Sequence, residues 1–141
     1  MKLRALKGRA QITAAFRRGK RFTQGDASVS IRTRRFAHEE DAPKGGEFDV
    51  FLVCAVRKKI APHAVVRNRI KRLVRESVRS FVKEHQSNSK TLPFMTLAFN
   101  WQKAPSKPSE ISLHEVKPEV YDALHQAMQY FSNREQSSKN S

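Results

Sequence analysis

Residues 64–85 read AVVRNRIKRLVRESVRSFVKEH. At 100° per residue, Val66, Ile70, Leu73, Val74, Val78 and Phe81 fall on one broad apolar stripe, while Asn68, Arg72, Arg75, Arg79 and Lys83 fall opposite. The spacing predicts a long, half-buried helix. Asn68, Arg72, Arg75 and Arg79 recur at i, i+4, i+7 and i+11, a single row about 17 Å long, flanked by Lys71 and Lys83. Arginine stacked on arginine destabilises an isolated helix. A phosphate backbone laid along the row reverses the sign of that interaction, and the planar guanidinium bridges phosphate oxygens bidentately, as lysine does not. Exposed helices ordinarily intersperse charges of both signs, whereas only Glu76 offers an anionic partner near this row.

Upstream, Phe48 to Val56 is apolar at nearly every position except Asp49, the pattern of a central strand covered on both faces. Arg57, Lys58 and Lys59 follow it directly, so loop cations and the free N–H groups of a helix start converge on the same place. His63 in this loop has no second His, Cys or acid at metal spacing and reads as a loop residue. Downstream, polar Gln86 to Lys90 ends the helix and Leu92 to Asn100 forms another strand, with Pro93 near its start. Strand, helix and strand make a βαβ crossover.

The chain opens with a second basic block. Met1 to Gly25 carries Lys2, Arg4, Lys7, Arg9, Arg17, Arg18, Lys20 and Arg21 and no acid, and the two basic blocks are expected to form one surface. Arg9 to Arg18 holds Ile12, Ala15 and Phe16 at helical spacing and is followed by Gly19, a good C-cap residue. Phe16 beside Arg17, Arg18 and Lys20 suits stacking of a single-stranded base with a grip on its backbone; the same periodicity also suits a core phenylalanine. Val29, Ile31 and Thr33 alternate with Ser28, Ser30, Arg32 and Arg34, a strand with one apolar face and one polar, basic face. Ala37 to Glu47, with Pro43, Gly45 and Gly46, suits a hairpin-like connection into the next strand.

Trp101 to Glu110 reads as a Pro- and Ser-containing loop. A last amphipathic helix carries Val120, Leu124, Ala127, Met128 and Phe131, with Pro118 near its first turn and Ser112 and Glu115 at capping-box spacing. Residues 1–131 are expected to form one domain and 132–141 a disordered polar tail.

Composition narrows the function. In 141 residues, 28 Lys and Arg against 13 Asp and Glu leave a net charge of +15, a self-repulsion that a bound polyanion relieves. No apolar run is long enough to span a membrane, and no lipidation motif or secretory signal appears, so the N-terminus belongs to the fold and no membrane partner is expected. Cys54 is the only cysteine, which excludes a disulfide framework and a cysteine-built metal site and favours a reducing cytoplasm. It reads as a small buried hydrophobe. No catalytic carboxylate cluster, glycine-rich phosphate loop or nucleophile elbow is visible. A helix-turn-helix DNA binder needs a second helix closely joined to the recognition helix, whereas strands flank this one, so no DNA partner is expected.

The segment VVRNRIKRLVRES at Val65 to Ser77, with Lys58-Lys59 upstream, resembles the signature helix of the protein component of bacterial ribonuclease P. The order of elements agrees over roughly Leu6 to Phe131, including a first helix ending FRRG. The resemblance implies an α/β (α+β) sandwich akin to the second domain of ribosomal protein S5, with a mixed sheet packed against helices and a left-handed βαβ crossover. It implies a ribonuclease P subunit in which a catalytic RNA, with Mg²⁺ bound mainly by that RNA, removes the 5′ leader of precursor tRNA. Carried over, Arg57, Lys58, Lys59, Arg67, Asn68, Arg69, Lys71, Arg72, Arg75 and Arg79 meet the catalytic RNA. Ile12, Phe16, Arg17, Lys20, Ser28, Ser30 and Arg32 line a cleft for the leader. The chain departs from the family where Ile12 and Ser30 replace aromatics, where Arg57 replaces a small residue, and in an enlarged 101–110 loop. The competing reading is a ribosome-like RNA-binding protein with no part in tRNA cleavage.

Overall fold

The computed structural model describes residues 2–33, 49–87, 92–104 and 110–139. Along the chain these form β1 (Leu3–Ala5), α1 (Arg9–Arg18), β2 (Lys20–Gln24), β3 (Ala27–Thr33), β4 (Val50–Val56), α2 (Ala64–Ser87), β5 (Phe94–Trp101) and α3 (Leu113–Lys139). The strands make one mixed sheet in the order β1-β4-β5-β3-β2, with β4 parallel to β1 and β5, and β3 antiparallel to β5 and β2. Helix α2 therefore connects two adjacent parallel strands, the crossover expected from the sequence.

Side-chain alternation sorts the sheet into two faces. Leu52 and Val56 of β4, Leu97, Phe99 and Trp101 of β5, Val29 and Ile31 of β3 and Phe22 of β2 pack beneath α2 and α3. Those helices contribute Ile70, Val74, Val78 and Phe81, and Val116, Val120, Leu124 and Phe131. Phe51, Val53 and Ala98 face the other way and pack with Leu6, Ile12, Ala15 and Phe16, so α1 alone lies on the second face. The result is an α/β sandwich of three layers, with the main core on the side of α2 and α3.

Several expectations are corrected. The strands β1 and β2 are additional to those expected, and both are edge strands whose mostly exposed side chains give no apolar run. Buried Asp49 holds β1 in place, accepting hydrogen bonds from the Lys2 backbone N–H at 3.1 Å and from the Arg4 guanidinium. The connection Ala37 to Glu47 lies outside the described residues, but the strands it joins are not neighbours, because β5 lies between β3 and β4. The strands β3 and β4 therefore do not pair with each other as a hairpin. Trp101 is not a loop residue: it ends β5, is buried, and donates its indole N–H to the Lys103 carbonyl at 3.1 Å. The remainder of the enlarged loop, 105–109, lies outside the described residues.

Helix α3 begins at Leu113, where the Ser112 carbonyl accepts the N–H groups of Glu115 and Val116 at 3.1 and 3.4 Å, so Pro118 falls in the second turn rather than the first. The same helix runs to Lys139, past the boundary expected at Phe131. Gly19 follows α1 with φ −81° and ψ 156°, an extended rather than a left-handed C-cap. A Cβ there would collide with the Ser30 hydroxyl and lie 2.8 Å from the Ile31 nitrogen, so close approach to β3 demands the glycine.

Candidate nucleic-acid interface

Helix α2 buries Ile70, Val74, Val78 and Phe81 and leaves Asn68, Arg72, Arg75, Arg79 and Lys83 exposed, the row expected from its period. Arg69 and Lys71 flank that row, half-buried. Arg57, Lys58 and Lys59 are exposed in a turn after β4, closed by N–H bonds of Ile60 and Ala61 to the Arg57 carbonyl at 3.0 and 3.1 Å. The His63 carbonyl accepts the N–H groups of Val66 and Arg67 at 3.1 Å each, which makes His63 the helix's starting loop residue. The loop that carries these three cations leads directly into the helix that carries the row. Arg67 has a different position: its Nη1 donates to the carbonyls of Ala61 and Pro62 at 2.9 and 2.8 Å, clamping the loop onto the helix.

Cys54 of β4 lies half-buried near Lys71 and Arg75. Burial pushes its thiol up to about 12 against the opposing pull of those two cations, so it is protonated at neutral pH, and the residue is half-buried where full burial was expected.

On the other face, Ile12 and Phe16 are half-buried between α1 and the sheet, and Arg17 is exposed. Phe16 is therefore neither a full core residue nor a free one. Ser30 is buried and donates its hydroxyl to the carbonyls of Ala15 and Phe16 at 2.9 and 3.2 Å, fastening the end of α1 to β3. Ser28 and Arg32 are buried on the same face, and burial, then the nearby Arg18, lowers the Arg32 guanidinium's affinity for its proton. Lys20 does not join them. It pairs with Ile31 and shares that residue's face, where its ammonium sits 5.2 Å from the centre of the Tyr130 ring of α3.

The helices of the two basic blocks, α1 and α2, lie on opposite sides of the sheet, while Lys20 of the first block is on the side of α2 and α3. Arg21 and Thr23, absent from the expected site, are exposed and stand opposite Ser30 and Ser28 on the face of α1. The signal was present in their two-residue spacing, once β2 is known to be a strand. Among the described residues no group of three or more His, Cys, Asp or Glu is placed to hold a metal, and no helix is long and apolar enough to cross a membrane.

A mixed sheet with an exposed basic helix face on one side and the arginines of α1 and β2 on the other has the architecture and charge of an RNA-binding α/β protein. The family model for ribonuclease P matches residues 1–104, and the chain belongs to the ribonuclease P protein family, which places it as the protein subunit of the tRNA-processing enzyme. Among curated proteins, none matches the sequence. The fold is similar to the Staphylococcus aureus RNase P protein solved at 2.0 Å, with 16% identity, TM-score 0.58 and coverage of 87% of this chain and 94% of that one. A second structure of the S. aureus protein is 20% identical with TM-score 0.55, covering 87% of both chains. A mutant of the S. aureus protein, described as defective in mRNA degradation, is 19% identical with TM-score 0.54, covering 88% of this chain and 87% of that one.

Proposed function

We propose that this chain is an accessory subunit that binds the catalytic RNA of ribonuclease P through the α2 ridge and the 5′ leader of precursor tRNA through the α1 cleft, while the RNA cuts. The observation that carries the reading is the exposed row Asn68, Arg72, Arg75 and Arg79 on the helix that the equally exposed Arg57, Lys58 and Lys59 lead into. A row of cations with a single acid, Glu76, beside it gains most from a polyanion that spans its whole length. Arg67 supports the row from behind by fixing the loop, with Arg69 and Lys71 at its flanks.

The cleft reading rests on Phe16, whose half-exposed ring beside Arg17 can stack an unpaired base, with Ile12 extending the apolar wall. Buried Ser28, Ser30 and Arg32 form the floor beneath α1 and shape the cleft. Lys20, turned toward Tyr130, is left out of it. Mg²⁺ in this reading is held mainly by the RNA and supplies charge neutralisation at the scissile phosphate. The protein's share in this reading is to bind and orient the two RNAs. A reducing, cytoplasmic setting suits the single protonated thiol.

The test is reconstitution. Purified protein with ribonuclease P RNA and Mg²⁺ is expected to release the leader from precursor tRNA, and RNA-free protein to leave it intact. Metal-dependent cleavage by the protein alone would overturn the accessory role. Tight RNA binding without any effect on cleavage would favour the ribosome-like reading.

A further inference from the structure

The leader-cleft reading leaves open which side chain holds the leader's backbone, and the register of the edge strand answers it. Lys20 and Arg21 are neighbours in sequence, yet strand alternation turns them to opposite faces of the sheet. Lys20 goes to Tyr130, and Arg21 goes to the face of α1. There Arg21 stands directly across from Ser30, and opposed side chains of an antiparallel pair lie about 4.5–5.5 Å apart at Cβ. Ser30 in turn bonds the carbonyls of Ala15 and Phe16, so Arg21 flanks the turn of α1 that presents the Phe16 ring.

Among the described residues of α1 and of this face of β2, β3 and β5, the charge has one sign. The last turn of α1 carries Arg17 and Arg18, and Arg18 is close enough to Arg32 to disfavour its proton. The strands turn Ser28, Ser30, Arg32, Thr96, Ala98, Asn100, Arg21 and Thr23 to this face, and none of these, nor any residue of α1, is acidic. Arg32 is buried beneath the helix, whereas Arg21 is exposed on the outermost strand. Beyond it the floor is small and polar: exposed Thr23, buried Ser28 and half-buried Asn100 lie on one rung. A strand whose base rests on Phe16 would run its phosphates past this rim, where a guanidinium can grip two phosphate oxygens at once.

We infer that Arg21 is the positioning residue for the leader, holding its phosphate backbone at the rim of the cleft beside Phe16; this rests on the proposal that the cleft takes the leader. Arg21 acts on phosphate and not on a base, so its contribution is independent of leader sequence and sensitive to salt.

The experiment uses reconstituted holoenzyme and compares affinity for precursor tRNA with that for leaderless tRNA, across a salt series, in Arg21→Ala, Lys20→Ala and Phe16→Ala proteins. Arg21→Ala is expected to lower the preference for precursor by roughly five- to tenfold, and the slope of log affinity against log salt by about 0.7, the share of one single-strand phosphate. Arg21→Lys should restore part of the preference, and Lys20→Ala should change neither quantity. If Phe16→Ala weakens the preference while Arg21→Ala does not, the inference fails and the leader reading stands. If Phe16→Ala and Arg21→Ala both leave it unchanged in folded protein, the leader reading itself fails. Equal losses in Arg21→Ala and Lys20→Ala would show diffuse attraction by net charge and would also overturn the assignment.

Discussion

The hydroxyl of Ser30 on β3 donates to the carbonyl of Ala15, 2.9 Å away, and so ties the end of α1 to the middle of the sheet. The same hydroxyl reaches the Phe16 carbonyl at 3.2 Å. Residues near a helix C-terminus lack intrahelical donors for their carbonyls, and here one buried serine serves two of them. Ser30→Ala should therefore cost about 1–3 kcal/mol of stability, the usual consequence of leaving a buried acceptor unpaired. Denaturant unfolding measures it, and an unchanged midpoint would show that water or a shifted backbone replaces the bond.

Gly19 lies against the same serine. Its φ of −81° is ordinary for any residue, so substitution there meets a purely steric obstacle, the Ile31 nitrogen at 2.8 Å and the Ala15 carbonyl at 3.0 Å. Gly19→Ala is expected to destabilise by about 1–3 kcal/mol through overpacking. Gly25 presents the converse case, with φ +59° and looser surroundings, where alanine should cost about 1–2 kcal/mol in backbone strain. Unfolding of the two variants compared with wild type checks both. A neutral Gly19→Ala would mean that α1 is free to slide on β3.

Glu119 of α3 is the source of a pH dependence. Burial raises its carboxyl's pKa above the ordinary 4.5, and the charge of Asp26 and a side-chain hydrogen bond with it push the same way, while Lys103 opposes them. The folded protein thus holds this proton more tightly than the unfolded chain does. Its stabilising effect is complete below the unfolded value and is lost as pH rises through the folded one. Glu119→Gln should raise stability at neutral pH and flatten the decline above pH 4.5, as followed by thermal unfolding over a pH series. A glutamine variant less stable than wild type at neutral pH would place an ionised Glu119 in a favourable pairing instead.

The legible parts of the molecule were those where one helix or strand declares its own period. The boundaries of α1, and α2 with its exposed row, follow from i, i+3, i+4 spacing, because a helix face is set by local geometry. Strand β2 was hidden because KRFTQ holds one apolar residue, and at a sheet edge one buried side chain, Phe22, is sufficient to anchor it. With β2 unrecognised, Lys20 and Arg21 could not be assigned to faces, so Lys20 was grouped with the cleft and Arg21 was not. The burial of Ser28, Ser30 and Arg32 was equally invisible, since a polar strand face normally meets water and here meets α1. Strand order is non-local, and nothing in the connection between β3 and β4 shows that β5 inserts between them.

The row on α2 bears the weight of the RNA-binding role. Arg72 and Arg75 are exposed and stand opposite the buried stripe of Ile70, Val74 and Val78, so charge reversal at both should spare the fold. The decisive measurement is the affinity of the Arg72→Glu, Arg75→Glu protein for ribonuclease P RNA as a function of salt, taken beside its unfolding curve. Affinity is expected to fall by more than about tenfold and the salt slope to shrink by about 0.9 for every phosphate no longer held, with unfolding unchanged. Wild-type RNA affinity and slope in a folded double variant would contradict the assignment of this helix to the catalytic RNA.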